Sequence, residues 1–174
     1  MVTVNDIYAF LNDLAPVRYQ MDFDNAGFLV GDGSAAVEHV LLALDITDDV
    51  IAEAAALRAQ LIVSHHPLIF TPLRRATADD LTGRKVLALA RNGIAAICMH
   101  TNLDIADGGV NDALAAALGL EDPGPLGDPE GLWRMGHGRP RAIWYSRRWQ
   151  RADLRPCRPA AGTHGVVGFS ALCR

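Results

Sequence analysis

Cysteine, aromatic side chains and long apolar runs are all scarce in this sequence, and each scarcity excludes something. The three cysteines, Cys98, Cys157 and Cys173, are an odd, widely spaced set with no CxxC pair. A reduced, cytoplasmic protein is therefore expected. No run approaches the ~20 apolar residues of a membrane span. The N-terminus MVTVNDIYAF has no basic stretch leading into an apolar one, so no signal peptide is expected. Aromatic residues make up 6% of the chain. What is present is ordinary for a folded domain: 174 residues, 50% hydrophobic and 21% charged. A mean hydropathy of +0.12 excludes a mostly disordered chain. The length suits one globular core better than two.

The net charge of −4 conceals an asymmetry. Residues 1–132 hold 19 acidic and 7 basic side chains, a formal charge of −12. Residues 133–174 hold one acid, Asp153, and nine arginines, a formal charge of +8, with no lysine and no glutamate. All three tryptophans, Trp133, Trp144 and Trp149, lie in this tail. Composition thus divides the chain into an acidic domain, 1–132, and a basic tail, 133–174. Asp122–Glu130, with three prolines and two glycines, is the expected boundary segment.

The acidic domain alternates between helical and strand-like patterns. Val4, Ile7, Tyr8, Leu11 and Leu14 recur at helical spacing, and Pro16 ends the run. Val40–Leu44, Leu61–Ser64 and Ile94–Met99 are short apolar runs that read as buried strands. Between them, Thr47 can cap a helix carrying Val50, Ile51, Ala54, Ala55 and Leu57, and Lys85–Arg91 reads as another helix. A last helix is expected over Val110–Leu118, closed by Gly119. Continuous apolar strands separated by helices predict an α/β fold with a mostly parallel sheet covered by helices.

In such sheets the reactive crevice lies beyond the carboxyl ends of the strands. The polar residues fall there: Asp45 after the first run, His65 and His66 after the second, His100 and then Asp104 after the third. Imidazoles and carboxylates converging from separate strands suit a divalent metal. Neighbouring side chains on an extended backbone point in opposite directions, and Pro67 favours an extended His66. The adjacent histidines are therefore expected to serve two ions, or one ion and a substrate, rather than to grip one ion together. Plainer readings stand beside these. Asp45 can instead cap the helix near Thr47, and HTNLD can be a loop closed by an Asx-turn at Asn102. His39 sits at a strand start away from the crevice, and Cys98 reads as core.

The stretches DNAGFLVG (24–31), LDIT (44–47), SHHPLIF (64–70) and HTNLDIADGGVNDALAAALGL (100–120) occur in this order. Together they closely resemble the Nif-three-like family, whose bacterial members are often named GTP cyclohydrolase 1 type 2 homologues. The resemblance covers about residues 1–136, where GLWRMG (131–136) is similar to a degraded GLGRxG stretch. It implies an α/β fold, a dinuclear site for divalent cations (Zn, Mn or Fe) and a homohexameric ring. By motif position, His65, His66 and Asp104 match the family's metal ligands. His100 matches a motif histidine near the metals, placed to orient substrate or move a proton. Asp24 and Asn25 match a recurrent stretch with no assigned chemical role.

The resemblance also implies a second motif, a histidine followed four residues later by glutamate. None of the 174 residues supplies it: the last glutamate is Glu130, and His137 and His164 are followed at that distance by Arg141 and Gly168. The metal site is therefore expected to be incomplete, with weak metal binding and little catalysis. An Arg-, Pro-, Gly- and Trp-rich tail is what an out-of-frame reading of a GC-rich gene produces, and residues from about His137 onward are read as replaced, non-homologous sequence. A nucleic-acid-binding arm is the less favoured reading of the arginines, and packing of the tail against the acidic domain by charge complementarity is a further one. A metal-dependent hydrolase acting on an unknown small molecule is the expected class. The rival is a non-catalytic oligomeric or partner-binding protein that keeps the histidines as structural ligands. Sequencing the gene through codon 137 is expected to show family sequence ending in HxxxE in the next frame; its absence would refute the replacement.

Overall fold

Thr3 opens the first helix, α1 (Val4–Leu14), with a reciprocal cap. Its Oγ1 accepts the Asp6 N–H at 3.2 Å, and its own N–H donates to the Asp6 carboxylate at 2.8 Å. Pro16 follows and starts a single 3₁₀ turn at Val17–Tyr19. The chain then runs through β1 (Gly27–Val30), β2 (Val40–Ala43), α2 (Asp48–Ala56), β3 (Leu61–Ser64), α3 (Leu81–Arg91), β4 (Ala95–Cys98) and α4 (Thr101–Ile105). The computed structural model describes residues 1–125 and 131–137, and the backbone alone of 164–167.

Thr47 caps α2 as its position suggested, accepting the Val50 N–H. α3 begins at Leu81, four residues before the expected start. Asp80 is the reason, since its carboxylate takes the Gly83 N–H at 2.6 Å and satisfies an otherwise orphaned donor of the first turn. HTNLD is not a free loop: Thr101–Ile105 is the short helix α4. Asn102 is fully buried and reaches backward instead of forming an Asx-turn. Its Oδ1 accepts the His100 N–H at 2.9 Å and its Nδ2 donates to the Ala15 carbonyl at 2.7 Å.

The four strands of the first unit, Met1–Gly109, form one sheet in the order β1-β4-β3-β2. β2, β3 and β4 are parallel, with Ala43, Ser64 and Cys98 in one transverse row. One face carries Leu61, Ala95 and Ile97 under Val4, Ile7, Tyr8 and Leu11 of α1. The other carries Ile62 and Ala96 under Ile51 and Ala54 of α2 and Leu89 of α3. Burial on both faces is why β3 and β4 read as unbroken apolar runs. β2, expected as a buried strand, is instead an edge strand with Val40 and Leu42 exposed. Cys98 is a buried free thiol in this core, as expected.

β1 was not foreseen as a strand. It pairs antiparallel with β4, placing Gly27 opposite Cys98. The direction matters more than the extra strand. An antiparallel edge strand enters from the side where its parallel neighbours end, so Asp24–Ala26 arrive at the carboxyl edge of the sheet.

The second unit, Val110–Arg174, contains α5 (Val110–Leu118) and an antiparallel sheet of β5 (Glu121–Pro125), β6 (Arg134–His137) and β7 (His164–Val167) in that order. Arg134 is buried there, its Nε donating to Asp112 at 2.5 Å and its Nη1 to the Gly131 carbonyl at 2.8 Å. The compositional boundary at 132/133 falls inside this unit, between β5 and β6. Residues 138–163 and 168–174, which hold most of the basic tail read as replaced sequence, lie outside the described residues. No described helix is long and apolar enough to cross a membrane.

Gly31 just after β1 has φ +115°, and a Cβ there would lie 2.7 Å from Cα and Cβ of Ala95. Gly93, at φ +63°, faces open space. Gly31→Ala is expected to cost about 2–4 kcal/mol in urea unfolding, through strain plus displacement of β4. Gly93→Ala should cost only about 1 kcal/mol. Equal losses would contradict the close β1–β4 approach.

Candidate metal centre

Three chain reversals meet at the carboxyl edge of the parallel sheet. The ladder continues past the strand ends: His65 N–H donates to the Ala43 carbonyl at 3.1 Å, His66 N–H to Leu44 at 2.9 Å, and Met99 N–H to Ser64 at 2.9 Å. This continuation seats His65 and His66 beside Asp45, and His100 two residues beyond Cys98 at the β4 side of the row.

The expected divergence of His65 and His66 is not found. Their ring centroids lie 5.1 Å apart, and that of His100 lies 5.1 Å from His65 and 5.7 Å from His66. One ring nitrogen from each of the three falls within 4.8 Å of the others. The alternation rule fails because the backbone bends here. The bend is stapled from both sides, with the Cys98 thiol donating to the His65 carbonyl at 3.0 Å and the Ser64 hydroxyl to the His66 carbonyl at 2.9 Å. Both imidazoles consequently face one cluster.

Each ring is held through Nδ1. His65 Nδ1 lies 2.9 Å from the Met99 carbonyl, His66 Nδ1 lies 2.7 Å from Asp45 Oδ1, and His100 Nδ1 lies 2.8 Å from Asp24 Oδ1. A carbonyl can only accept, and an ionised carboxylate likewise, so each ring carries a proton on Nδ1, and a ring in its neutral form then leaves Nε2 bare. This is the tautomer that ligates a cation. His65 Nε2 lies 3.7 Å from Asp104 Oδ1, which brings the fourth expected site residue to the cluster.

Two carboxylates here are buried with opposite consequences. Burial alone would raise Asp24, but hydrogen bonds from His100, Thr101 and Asn25 outweigh it and hold the group at about 2. Asp24 Oδ2 takes both the Thr101 N–H at 3.1 Å and its hydroxyl at 2.5 Å. For Asp104, burial prevails and pushes the carboxyl up to about 6, against the lowering influence of His100 and His66. Burial also lowers His65, favouring its neutral form, the form with a lone pair to share. Imidazoles beside a buried carboxylate form a donor set that fits a first-row divalent cation.

The residues singled out from the sequence, His65, His66, His100 and Asp104, are thus neighbours. Asp45 does not cap α2, because Thr47 does, and its carboxylate turns to His66 instead. Asp24 had no readable role because the antiparallel entry of β1 was unforeseen. Asn25 pins the far side, its Nδ2 donating to the Ile69 carbonyl at 2.6 Å. His39 is exposed, away from the cluster.

A mostly parallel α/β sheet with a histidine cluster at its carboxyl edge defines the class of protein. The family model described as Duf34/NIF3 (NGG1p interacting factor 3) matches residues 2–147, and the chain belongs to this family. That match runs past Gly136, where the motif resemblance stops. A "GTP cyclohydrolase 1 type 2 homolog" from Clostridium perfringens is 41% identical over 137 residues, covering 76% of this chain and 52% of the relative. One from Streptomyces coelicolor is 39% identical over 143 residues, covering 80% and 50%. Among solved structures, reduced HcgD from Methanocaldococcus jannaschii superposes with a TM-score of 0.70 at 36% identity, covering 78% of this chain and 54% of that one. A Bacillus cereus protein related to NIF3 gives 0.67 at 40% identity, covering 70% and 34%. The chain spans about a third to a half of the length of the curated relatives it matches.

Asp104→Asn is expected to stabilise the metal-free protein at pH 7 by about 2 kcal/mol, because it removes a charge whose folded pKa is raised. The gain should shrink as pH falls from 6 to 4, where the wild-type carboxyl takes up its proton in the folded state. Thermal melts across pH 4–8 measure this, and a gain that grows on acidification would contradict it.

Proposed function

We propose that this protein binds divalent metal through His65, His66 and Asp104, and that these residues, with His100 beside them, form part of a hydrolytic centre of the kind the motif resemblance implies. The observation that carries this reading is the meeting of three imidazole nitrogens within 4.8 Å, each ring held through Nδ1. Such convergence costs solvation and side-chain entropy that a purely structural cluster would have no reason to spend on three bare acceptors.

The two classes of residue divide the work. His65 and His66 bind, with Asp104 supplying the negative charge that a dication requires. His100, buried against Asp24, is the group placed to orient a substrate or to hold a proton at Nε2 while Nδ1 stays engaged. A bound divalent ion would supply Lewis acidity and lower the pKa of its water toward neutrality. The relatives' name suggests a small-molecule substrate, and ring assembly of copies of this chain is part of the same reading.

The 174 residues hold no HxxxE pair, so the set is proposed to be half of a dinuclear centre. A shared carboxylate holds two ions best when both have full ligand sets. Calorimetric titration with Zn²⁺ or Mn²⁺ is expected to show at most one ion per chain with weakened affinity. His65→Ala should abolish that uptake without unfolding the domain. Tight binding of two ions per chain would refute the half-site, and uptake unchanged in His65→Ala would refute the cluster as the site.

A further inference from the structure

The three rings of the cluster are held by three unlike anchors. His65 leans on the Met99 carbonyl, part of the backbone that continues β4. His100 leans on Asp24, which is fully buried and also takes the Thr101 N–H and hydroxyl at the start of α4. Neither anchor can be withdrawn without disturbing the fold. His66 differs. Its anchor, Asp45, is 55% exposed, and its one hydrogen bond among the described residues is the 2.7 Å contact with His66 Nδ1. The task ordinarily given to a carboxylate just before a helix, capping it, is performed by Thr47. Asp45 therefore has no structural duty that explains its placement.

We propose that Asp45 is a positioning residue for the metal centre, fixing His66 with its proton on Nδ1 and its bare Nε2 turned into the cluster. This rests on the metal-binding reading above. The physical basis is twofold. A carboxylate accepting Nδ1–H selects one of two tautomers that a free imidazole interconverts, and it removes rotation about the ring's axis that would otherwise be lost on binding the ion. Its charge also pushes electron density toward Nε2, making the ring a better donor. His66 is half-buried, so it lacks the packing that would hold it without this partner. Of the three histidines it alone depends on an exposed, removable side chain. That makes Asp45 the point at which the affinity of the site can be altered while the fold is left intact.

Three versions of the full chain separate the possibilities: wild type, Asp45→Ala and Asp45→Asn. Long-range ¹H–¹⁵N spectra of metal-free, histidine-labelled protein should show His66 as the Nδ1–H tautomer in the wild type. They should show the same in Asp45→Asn, whose side-chain carbonyl still accepts, and a tautomer mixture in Asp45→Ala. Zn²⁺ affinity should fall by about 10- to 100-fold in Asp45→Ala, and by less in Asp45→Asn, which keeps the geometry and loses the charge. Thermal midpoints of the metal-free proteins should be nearly unchanged. A wild-type His66 carrying its proton on Nε2 would overturn the proposal. So would Asp45→Ala binding Zn²⁺ as tightly as wild type, an outcome that leaves the metal reading intact. Conversely, a wild type with the Nδ1–H tautomer and no Zn²⁺ uptake would overturn the metal reading and the metal role of Asp45, while the orientation of His66 by Asp45 would stand.

Discussion

Parallel pairing of β2, β3 and β4, with Ala43, Ser64 and Cys98 in one row, carries the rest of the structure. Parallel strands share a direction, so each must leave the sheet at the same edge, and each exit here hands the next residues to a bend or a short helix. Asp45, His65, His66 and His100 are the first residues past that row or nearly so. They share one small space because the strands end together and not because they are close in sequence. β1, running the other way, completes the arrangement by delivering Asp24 to the same edge on its way in.

The edge is also where the protein tolerates charge that its core excludes. Asp24 and Asp104 are both almost inaccessible, yet one is held ionised by four hydrogen bonds from its neighbours and the other is pushed toward its neutral form. The difference is the balance between burial and hydrogen bonding, which hydrogen bonds win at Asp24 and burial wins at Asp104. A carboxylate well supplied with N–H and O–H donors is part of the scaffold. For Asp104 burial prevails, and its charge works against the fold. The same division runs through the histidines, with fixed anchors for His65 and His100 and an exposed one for His66.

Much of this was legible before any coordinates. The positions of β2, β3 and β4, the helix begun by Thr47 and the helix over Val110–Leu118 follow from apolar runs and capping residues, because those signals are local, whereas the exposure of β2 depends on its place at the sheet edge. The site residues were legible as types at strand ends. What was not legible depended on pairing. β1 is four residues of GFLV, too short to announce itself, and its antiparallel sense is a property of β4 as much as of itself. The bend at His65–His66 is held by Ser64 and by Cys98, the latter 33 residues away, so the alternation expected of an extended chain gave the wrong geometry. Asn102 read as a local turn-former, whereas its amide bridges His100 to the end of α1.

The amino-acid sequence on its own determined the positions of the three parallel strands, which residue types can ligate a cation, the family to which the motifs belong, and the charge reversal beyond residue 132. These depend on residue type, period and spacing, which the chain carries wherever it goes. Only the tertiary structure decided that adjacent histidines face the same way, that Asp45 serves His66 and not a helix, and that Asp24 belongs to the site at all. Each of those outcomes is a hydrogen bond between residues 21 to 76 positions apart. Such a bond exists only once the sheet has brought its partners within reach.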